Sequence, residues 1–372
     1  MTKLNKAFKF RLYPNKEQQG FLAKTFGCVR FVYNKMLEER KETYEKFKDD
    51  KEQLKEQKFP TPAQYKDEFP FLKEVDSLAL ANAQIHLQNA YKNFFEGRAE
   101  FPKFKSKKKK QSYTTNMVNS NIKLENGHIK LPKIKKPIKI KQHREIPADH
   151  KIKSCTISKT KTGKYYISIL TEYEKDIQSI KIQKVVGLDF AMDGLYVESE
   201  RGEKSNYPRY YRQALDKLAK AQRILSRRKK GSARWEKQRL KVAKLYEKTA
   251  NQRRNFLHHK SKELATNYDA VIIEDLDMKG MSQALNFGKS VHDNGWGMFT
   301  NFLEYKLKEQ GKQLVKIDKW FPSTKKCSCC GKEKEIPLSE RVYKCSCGFV
   351  LDRDHNSAIN VKKEGLRLLA LA

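Results

Sequence analysis

Three apolar segments in the C-terminal half of the chain constrain its fold most strongly. They lie within IQKVVGLDFAM, DAVIIEDL and QLVKID, and the first two have near-continuous apolar cores. Such segments are typical of strands that are covered on both faces, as in a sheet flanked by helices. Helical patterns separate them, in the order strand, helices, strand, helix, strand. We therefore expect an α/β sheet in this half of the chain.

Acidic residues interrupt or end these strands. Asp189 lies in VVGLDFAM and Glu274 in VIIEDL, and a third acid, Asp354, lies in LDRDHNSAIN. A buried ionised carboxylate must be paired or bind a metal, because leaving it bare costs several kcal/mol. Each acid taken alone is equally well explained as a strand-end carboxylate in contact with water. Three of them in one cationic α/β domain favour a site for two Mg²⁺ ions, roughly 3.5–4 Å apart, that hydrolyses a phosphodiester.

Five of the seven cysteines fall within 21 residues near the C-terminus. Cys327-x-x-Cys330 and Cys345-x-Cys347 are separated by 14 residues, and two such knuckles can supply four thiolates tetrahedrally to Zn²⁺. A site closed by four protein ligands is structural, and its small ribbon has too little core to fold without metal. Cys329, inside the first knuckle, leaves the ligand set open. The remaining cysteines are expected to be small buried residues: Cys28 and Cys155.

The charge of the chain indicates a polyanionic partner. Its 79 Lys and Arg against 44 Asp and Glu give a formal net charge of +35, which repels itself in a compact state. Nucleic acid fits this charge. A membrane surface fits it less well, because the mean hydropathy is −0.82 and no apolar run reaches the length of a membrane span. The first residues lack the apolar region of a secretion signal, so we expect a cytoplasmic protein with reduced cysteines.

Two basic stretches are candidates for binding nucleic-acid backbone. Residues 209–260 carry 18 Lys and Arg against three acids and read as a helical hairpin with SRRKKGS as its turn. The segment EFPKFKSKKKKQSY interleaves basic residues with Phe101, Phe104 and Tyr113, which can stack on bases. A solvated charged turn or loop is the alternative in both cases. The candidate contact residues are Lys103, Phe104, Lys105, Lys107, Lys108, Arg227, Arg228, Lys229 and Lys230.

The N-terminal half combines helices with short strands. KAFKFRLYP alternates, with Phe8, Phe10 and Leu12 on one face, and predicts a strand. Helices are expected over about 15–56 and over 77–96, the second with an apolar stripe. Residues 120–175 are strand-like, and Asn126-Gly127 suits a type I′ hairpin turn. The spacing of these strands favours a small β-barrel whose first strand is the N-terminal one, with the helices inserted between.

Several motifs together resemble one family. VVGLDFAMDGLYVES, VIIEDL, DKWFPSTKKCSCCG and CGFVLDRDHNSAIN, with FGCVRFVYNKML and PKFKSKK upstream, are similar to the TnpB family of RNA-guided nucleases from bacterial insertion sequences. The resemblance extends to type V CRISPR effectors and covers essentially the whole chain in the family's order. It departs at the second knuckle, which is Cys-x-Cys where Cys-x-x-Cys is common.

This resemblance implies a multidomain α+β fold. An RNase H-like (RuvC) α/β nuclease domain would contain an inserted zinc ribbon, and a small N-terminal β-barrel, the wedge, would contain an inserted helical recognition domain. The implied bounds are 1–14 for the first wedge strand, 15–102 for the recognition domain, 103–180 for the remainder of the wedge, 181–322 for the nuclease domain with its basic hairpin, 323–350 for the target nucleic-acid-binding zinc ribbon and 351–372 for the last RuvC segment.

The resemblance also implies an activity. The protein would be a Mg²⁺-dependent, RNA-guided endonuclease for double-stranded DNA, using an RNA of the transposon right-end (ωRNA) type and a short flanking DNA motif. The third catalytic acid would be Asp354 and not Asp352, and Gln84 on the 77–96 helix is a candidate reader of the flanking motif. No protein partner is required, and the protein would lie with the bacterial nucleoid. The alternatives are a nuclease-dead RNA-guided repressor and a DNA-strand transposase of RNase H fold.

Overall fold

The structure is a computed structural model that describes residues 2–283, 288–337 and 339–371. It has the multidomain α+β fold that the sequence predicts, because the chain forms two compact units, Met1–Asp176 and Ile177–Ala372. Within the described residues, no helix is both long enough and apolar enough to span a bilayer.

The first unit is built on an antiparallel sheet. Its strands are β1 (Thr2–Tyr13), β2 (Gln111–Asn116), β3 (Lys123–Glu125), β4 (His128–Lys130), β5 (Ile138–Lys141), β6 (Lys151–Lys159) and β7 (Tyr165–Lys175). Within the described residues these seven strands lie in the order β2-β6-β7-β1-β5-β4-β3, so the N-terminal strand is central, paired with β7 and β5. The predicted turn is confirmed, since Asn126 and Gly127 both have positive φ. The closure of this sheet into a barrel stays a prediction.

The helices of this unit connect β1 to β2. They are α1 (Lys16–Phe47), α2 (Lys51–Glu56), α3 (Tyr65–Glu68), a 3₁₀ turn (Pro70–Glu74) and α4 (Ser77–Phe95). Asn15 and Gln18 form a reciprocal capping box that starts α1. The helical stretch expected over about 15–56 is confirmed, but it is divided into two helices, because α1 ends at Phe47 and the Asp50 side chain caps a new helix.

The sheet and the helices enclose one hydrophobic core. Phe8, Phe10 and Leu12 are at most 3% exposed, which confirms the predicted alternation of β1. They share their cluster with apolar residues of α1 and α4. Tyr113 belongs to the same cluster and is 3% exposed. Its predicted role as a base-stacking residue was therefore wrong, since β2 turns the ring into the core.

The second unit contains the predicted α/β sheet. Its strands are β8 (Val185–Phe190), β9 (Tyr196–Glu198), β10 (Ala270–Glu274) and β11 (Gln313–Ile317), and β12 (Val342–Lys344) and β13 (Val350–Asp352) form a separate hairpin. In the described chain the four sheet strands lie in the order β11-β10-β8-β9, and β8, β10 and β11 are parallel. The helices are α5 (Tyr210–Ser226), α6 (Ala233–Asn267), α7 (Met278–Gln283), α8 (Gly288–Asn294), α9 (Trp296–Lys308) and α10 (Arg353–Leu371).

Helices cover both faces of this sheet, as the apolar strands predict. Val186 and Leu188 face a cluster with residues of α6 and α9, whereas Val185 and Ile272 share a cluster with Val361 of α10. Gly187 permits the close approach of α10, because a Cβ there would meet the Ala358 carbonyl oxygen at 2.4 Å. This contact brings α10 down onto β8 beside Asp189.

The predicted basic hairpin is confirmed as a pair of helices. α5 ends at Ser226 and α6 begins at Ala233, with the Ser232 hydroxyl accepting from the backbone N–H of Trp235 at 3.1 Å. The segment SRRKKGS is therefore the turn. α6 continues to Asn267, seven residues beyond the predicted hairpin, and leads directly into β10.

Candidate active site and metal centre

Asp189 and Glu274 lie side by side on neighbouring parallel strands. The last paired residues of β8 and β10 are Leu188 and Ile273, so these two acids occupy the next step of the register. Neighbouring strands are about 4.8 Å apart. Because side chains alternate between the faces of a strand, both acids lie on the face that α10 covers.

Two buried serine hydroxyls connect these carboxylates. The Ser357 hydroxyl lies 3.1 Å from Asp189 Oδ1, the Ser323 hydroxyl lies 2.6 Å from Glu274 Oε1, and the two hydroxyl oxygens are 3.0 Å apart. Each hydroxyl has one proton, so the pair donates only two of these three hydrogen bonds. The third bond needs a proton on one of the carboxyl groups. These hydrogen bonds therefore hold both carboxylates in fixed orientations. Their pattern also fits a metal-free site in which the two carboxyl groups together carry fewer than two negative charges.

The environment of both acids favours neutralisation. Asp189 is 7% exposed, and burial raises its pKa well above the ordinary value, with further contributions from the charges of Glu274 and Asp354. Burial also raises the pKa of Glu274, against the hydrogen bond from Ser323. A cation bound between these carboxylates would offset both effects.

Asp354 lies in the first turn of α10. It is surrounded by cations, with Arg353 Nη2 at 3.2 Å, Arg341 Nη1 at 3.7 Å and Lys204 Nζ at 3.9 Å from its carboxylate oxygens. Asp352 has a different role. Its Oδ1 accepts from the backbone N–H groups of Asp354 and His355, both at 3.0 Å, so it caps the helix.

The four predicted zinc ligands converge. The sulfur atoms of Cys327 and Cys347 are 3.9 Å apart and those of Cys330 and Cys345 are 3.6 Å apart, and all four lie within 4.8 Å of one another. A tetrahedral Zn²⁺ site with bonds of about 2.3 Å separates its sulfurs by about 3.8 Å. Cys329 is exposed and outside this quartet. The residues present therefore fit one zinc ion.

Thiolate character supports this fit. Hydrogen bonds, the first from the backbone N–H of Cys347, lower the pKa of Cys345 to about 6. The pKa of Cys347 is raised in turn, by burial and by its hydrogen bonds with the other three thiols, so one thiol of the metal-free quartet ionises first. Metal ligands must be deprotonated, and bound Zn²⁺ would favour the thiolate form of all four. Among the described residues, the quartet is the one group of three or more Cys, His, Asp or Glu side chains whose ligand atoms converge on one point. The three carboxylates form a looser group than the cysteines.

Asparagines of α10 join the cysteine ribbon to the carboxylate site. Asn356 Oδ1 accepts from the backbone N–H of Ser328 at 2.9 Å, and its Nδ2 donates to the Lys326 carbonyl at 2.8 Å. Asn360 Nδ2 donates to the carbonyls of Ser323 and Lys326 at 2.8 and 2.6 Å. One helix therefore presents Asp354 and holds both the first knuckle and the serine that contacts Glu274.

The basic segment after α4 is partly anchored to its own unit. Lys105 exchanges backbone hydrogen bonds with the Asn34 side chain at 2.8 and 3.0 Å, and its Nζ lies 3.7 Å from the Tyr33 ring centroid. Burial lowers the pKa of Lys105 to about 8. Lys103 pairs with Glu100 at 2.5 Å. The exposed candidates within this segment are Lys103, Phe104, Lys107 and Lys108.

The hairpin turn presents three exposed cations, Arg227, Lys229 and Lys230. Arg228 instead folds back, with Nη1 donating to the Arg234 carbonyl at 2.6 Å. Gln84 lies half-buried on α4.

Sequence reasoning missed the polar residues around the acids. These are Lys204, Ser323, Arg341, Arg353, Asn356, Ser357 and Asn360. Ser357 and Asn360 follow Asp354 at three and six residues on one helix, a spacing that places the serine near the acid's face. Ser323 and Lys204 have no such local signal, because tertiary contacts alone bring them to the site.

Family models match three parts of the chain. Residues 168–285 match the OrfB_IS605 family, described as "Probable transposase", and residues 1–49 match a model described as "Helix-turn-helix domain". Residues 296–361 match "Cas12f1-like, TNB domain", which contains the cysteine ribbon and Asp354. Within the described residues 2–49, however, the structure has β1 and the single helix α1.

Relatives extend over nearly the whole chain. "Putative RNA-guided DNA endonuclease" of Streptomyces pristinaespiralis is 36% identical, over 98% of this chain and 90% of the relative. "Putative RNA-guided DNA endonuclease InsQ" of Escherichia coli K12 is 30% identical, over 98% of this chain and 93% of the relative. The Cas12f1 chain in a cryo-EM structure with sgRNA and target DNA shares the fold, with a TM-score of 0.60 at 13% identity, over 97% of this chain and 99% of that one. Identity of this extent shows that the chain belongs to the TnpB family.

Proposed function

We propose that this protein is an RNA-guided endonuclease, encoded by an insertion sequence, that hydrolyses double-stranded DNA beside a short flanking motif. The observation that carries the proposal is the placement of Asp189 and Glu274 at adjacent positions of β8 and β10, beside the helix that carries Asp354 and whose Ser357 contacts Asp189 at 3.1 Å. Relatives that cover nearly the whole chain bear the name "Putative RNA-guided DNA endonuclease". A nuclease-dead repressor would have no need of three acids kept together at a cost in burial and repulsion.

The carboxylates fit Mg²⁺ as ligands. Hard divalent cations prefer carboxylate oxygens, and Asp189, Glu274 and Asp354 would hold two such ions. Bound Mg²⁺ would supply Lewis-acid activation of the attacking water and charge stabilisation at the leaving 3′ oxygen.

The protein's own residues would orient and balance this site. Ser323 and Ser357 donate hydrogen bonds that fix how the Glu274 and Asp189 carboxylates point, and such preorganisation lowers the cost of reaching the transition state. The Arg341 side chain is 67% exposed beside Asp354. Its planar guanidinium can turn to the non-bridging oxygens of a scissile phosphate, where it would stabilise developing negative charge.

Guide and target recognition would fall to the rest of the chain. The net charge of +35 and the exposed cations of the α5–α6 turn would bind RNA and DNA backbone, while base pairing by the guide supplies sequence specificity. The wedge, recognition and RuvC assignments belong to this proposal, as do Gln84 as a reader of the flanking motif, the ωRNA type of guide and the location with the nucleoid.

The test is reconstitution. The protein is purified with its bound RNA, that RNA is sequenced, and a plasmid that matches its guide segment beside a randomised flank is incubated with and without Mg²⁺. We expect cleavage only with Mg²⁺, only of the matching plasmid, and only with a subset of flanks. A Glu274→Gln control should bind the target without cutting it. Cleavage that ignores the guide match would contradict the proposal.

Strand transfer is a second candidate, favoured by the description of the OrfB_IS605 model as a probable transposase. A transposase joins the cut 3′ end to another DNA molecule. The same incubation with an added acceptor plasmid separates the two activities, because an endonuclease leaves free ends and no joined product.

A further inference from the structure

Trp320 is exposed in a segment that leads into the carboxylate site. Its side chain is 79% exposed, the highest value among the large hydrophobic residues that the structure describes. It lies between β11 and the first cysteine knuckle. An indole held in water forgoes the stabilisation that burial would give, so its exposure suits a partner that arrives later.

The backbone around Trp320 is held by hydrogen bonds. Asp318 Oδ1 accepts from the Trp320 N–H at 2.7 Å, and the Asp318 carbonyl accepts from the Phe321 N–H at 3.1 Å. The Pro322 carbonyl accepts from the backbone N–H groups of Lys325 and Lys326, both at 3.1 Å. The indole is therefore displayed from a defined turn, which reduces the entropy lost when a ligand stacks on it.

This turn is tied to the acids. Ser323, three residues after Trp320, contacts Glu274 Oε1 at 2.6 Å. Three residues span at most about 11 Å, and successive phosphates of one strand in duplex DNA rise about 3.4 Å. The indole thus lies within a few nucleotides of any phosphodiester held by the carboxylates.

A cation accompanies the ring. Lys319 is exposed and its Nζ lies 5.1 Å from the Trp320 ring centroid. An aromatic face beside a lysine is the combination with which proteins bind single strands, because the ring stacks on a base and the cation meets the adjacent phosphate. A protein or membrane partner would be bound mainly through apolar contacts. The strong positive charge of this chain instead favours a nucleic acid as the partner of the indole.

We propose that Trp320 is a stacking platform for an unpaired nucleobase of the strand that enters the carboxylate site, with Lys319 on its phosphate. The proposal rests on the endonuclease function proposed above. It adds a binding subsite that positions the strand, and it requires a base whose face is not covered on both sides by neighbours.

The test has a binding arm that does not depend on cleavage. The full-length protein with its bound RNA is titrated with oligodeoxythymidine in Mg²⁺-free buffer while tryptophan fluorescence is recorded. Trp296 is 3% exposed and Trp235 is half-buried, so a Trp320→Phe protein defines the background. We expect quenching that this variant lacks. In fluorescence anisotropy of labelled oligodeoxythymidine, affinity should fall by about 5- to 100-fold in Trp320→Ala but stay within about threefold of the wild type in Trp320→Phe.

The cleavage arm uses the matching plasmid under single-turnover conditions. Trp320→Ala should slow cutting by about tenfold or more, with guide-dependent target binding unchanged, and Trp320→Phe should restore most of the rate. The control is Tyr305→Ala, which removes an aromatic side chain of 42% exposure on α9 and should match the wild type.

Wild-type affinity and unquenched fluorescence in the binding arm would overturn the proposal. A wild-type dimer that Trp320→Ala converts to monomer in sedimentation would overturn it also, because the occupant would then be a second copy. If no DNA is cut but Trp320 is quenched and its replacement by Ala weakens binding, the endonuclease function is contradicted and the stacking role of Trp320 is supported. If cutting is guide-dependent and Trp320→Ala changes neither arm, the platform fails alone.

Discussion

Asn356 Oδ1 accepts a hydrogen bond from the backbone N–H of Ser328 at 2.9 Å. The bond joins the helix that carries Asp354 to the first cysteine knuckle, and both partners are buried. Asn356 also donates to the Lys326 carbonyl at 2.8 Å, so one side chain satisfies two backbone groups of the ribbon. A thiolate cluster therefore adjoins a carboxylate site because the ribbon is anchored on the helix of the third acid.

Replacing Asn356 with Ala should uncouple the two sites. The change leaves the buried Ser328 N–H without this acceptor, which costs about 1–3 kcal/mol, while the Lys326 carbonyl keeps its hydrogen bond from Asn360. We expect one zinc ion to be retained while guide-dependent cleavage slows by about tenfold or more, because small displacements of catalytic groups are costly. Cleavage rate and zinc content measured together test this. Asn301→Ala, on an exposed position of α9, is the control, and an Asn356→Ala protein that cuts at the wild-type rate would contradict the coupling.

Asp189→Asn should stabilise the Mg²⁺-free protein. The folded-state pKa of Asp189 is raised, so between the unfolded and folded values the folded state holds more protons, and stability falls as pH rises. A tenfold difference in proton affinity between the two states corresponds to about 1.4 kcal/mol, and each kcal/mol to about 2–4 °C in melting temperature for a domain of this size. Asn removes the charge and keeps the shape.

Thermal unfolding in Mg²⁺-free buffer with zinc retained measures this effect. The gain from Asp189→Asn should be largest at about pH 8. It should shrink as the pH falls through the raised folded-state pKa of Asp189, because the carboxyl group of the folded wild type is then protonated. Added Mg²⁺ should stabilise the wild type and leave the variant unchanged. A variant that melts below the wild type at the higher pH would show that the ionised Asp189 carboxylate does not destabilise the folded protein.

The sequence predicts the acids and cysteines better than it predicts their surroundings. Asp189 and Glu274 break the apolar pattern of buried strands, and the cysteines have metal-ligand spacing, so local patterns suffice to find them. Ser323, Lys204 and Arg341 reach the site through tertiary contacts between distant segments. Tyr113 shows the opposite failure, because a basic sequence context suggested exposure while the alternation of β2 buries the ring. The break at Asp50 inside the predicted helical stretch was not foreseen, because polar residues continue across that cap.

Asp354 and Asp352 should respond differently to substitution. Asp354→Asn removes a proposed metal ligand and should slow cleavage by more than about a hundredfold, beyond the loss typical of residues outside the ligand set. Asp352→Ala removes the helix cap and should cost about 0.5–2 kcal/mol of stability with a mild loss of activity. Asp352→Asn keeps the cap and should behave like the wild type. An inactive Asp352→Asn with an active Asp354→Asn would reverse the assignment.

Cys345→Ser should abolish zinc binding, whereas Cys329→Ser should retain one zinc ion per chain. Only the first removes a member of the converging quartet, and the ribbon between the knuckles has little buried surface beyond Tyr343 to hold it without metal. Elemental analysis of the purified proteins measures this directly. Loss of zinc from the Cys329→Ser protein would indicate that this thiolate replaces a neighbour in the first knuckle.

Neutralising the hairpin turn should weaken nucleic-acid binding without altering which sequence is bound. Arg227, Lys229 and Lys230 are exposed, whereas Arg228 is engaged by the Arg234 carbonyl, so the informative variant replaces the first three with Gln and leaves Arg228. Each phosphate contact contributes about 0.7–0.9 to the slope of log K against log salt. If all three cations contact phosphate, that slope should therefore fall by about 2 to 2.7 units.

Two unrelated guides should show the same loss of affinity, because lysine and arginine contacts to backbone carry no sequence information. The preference for flanking DNA should also stay the same. A variant with Gln at Lys51, Lys55 and Lys58, all exposed in or beside α2, removes the same charge elsewhere and corrects for the general electrostatic effect. Binding measured at several salt concentrations, with a slope in the hairpin variant equal to that of the control, would identify the turn as a solvated charged loop.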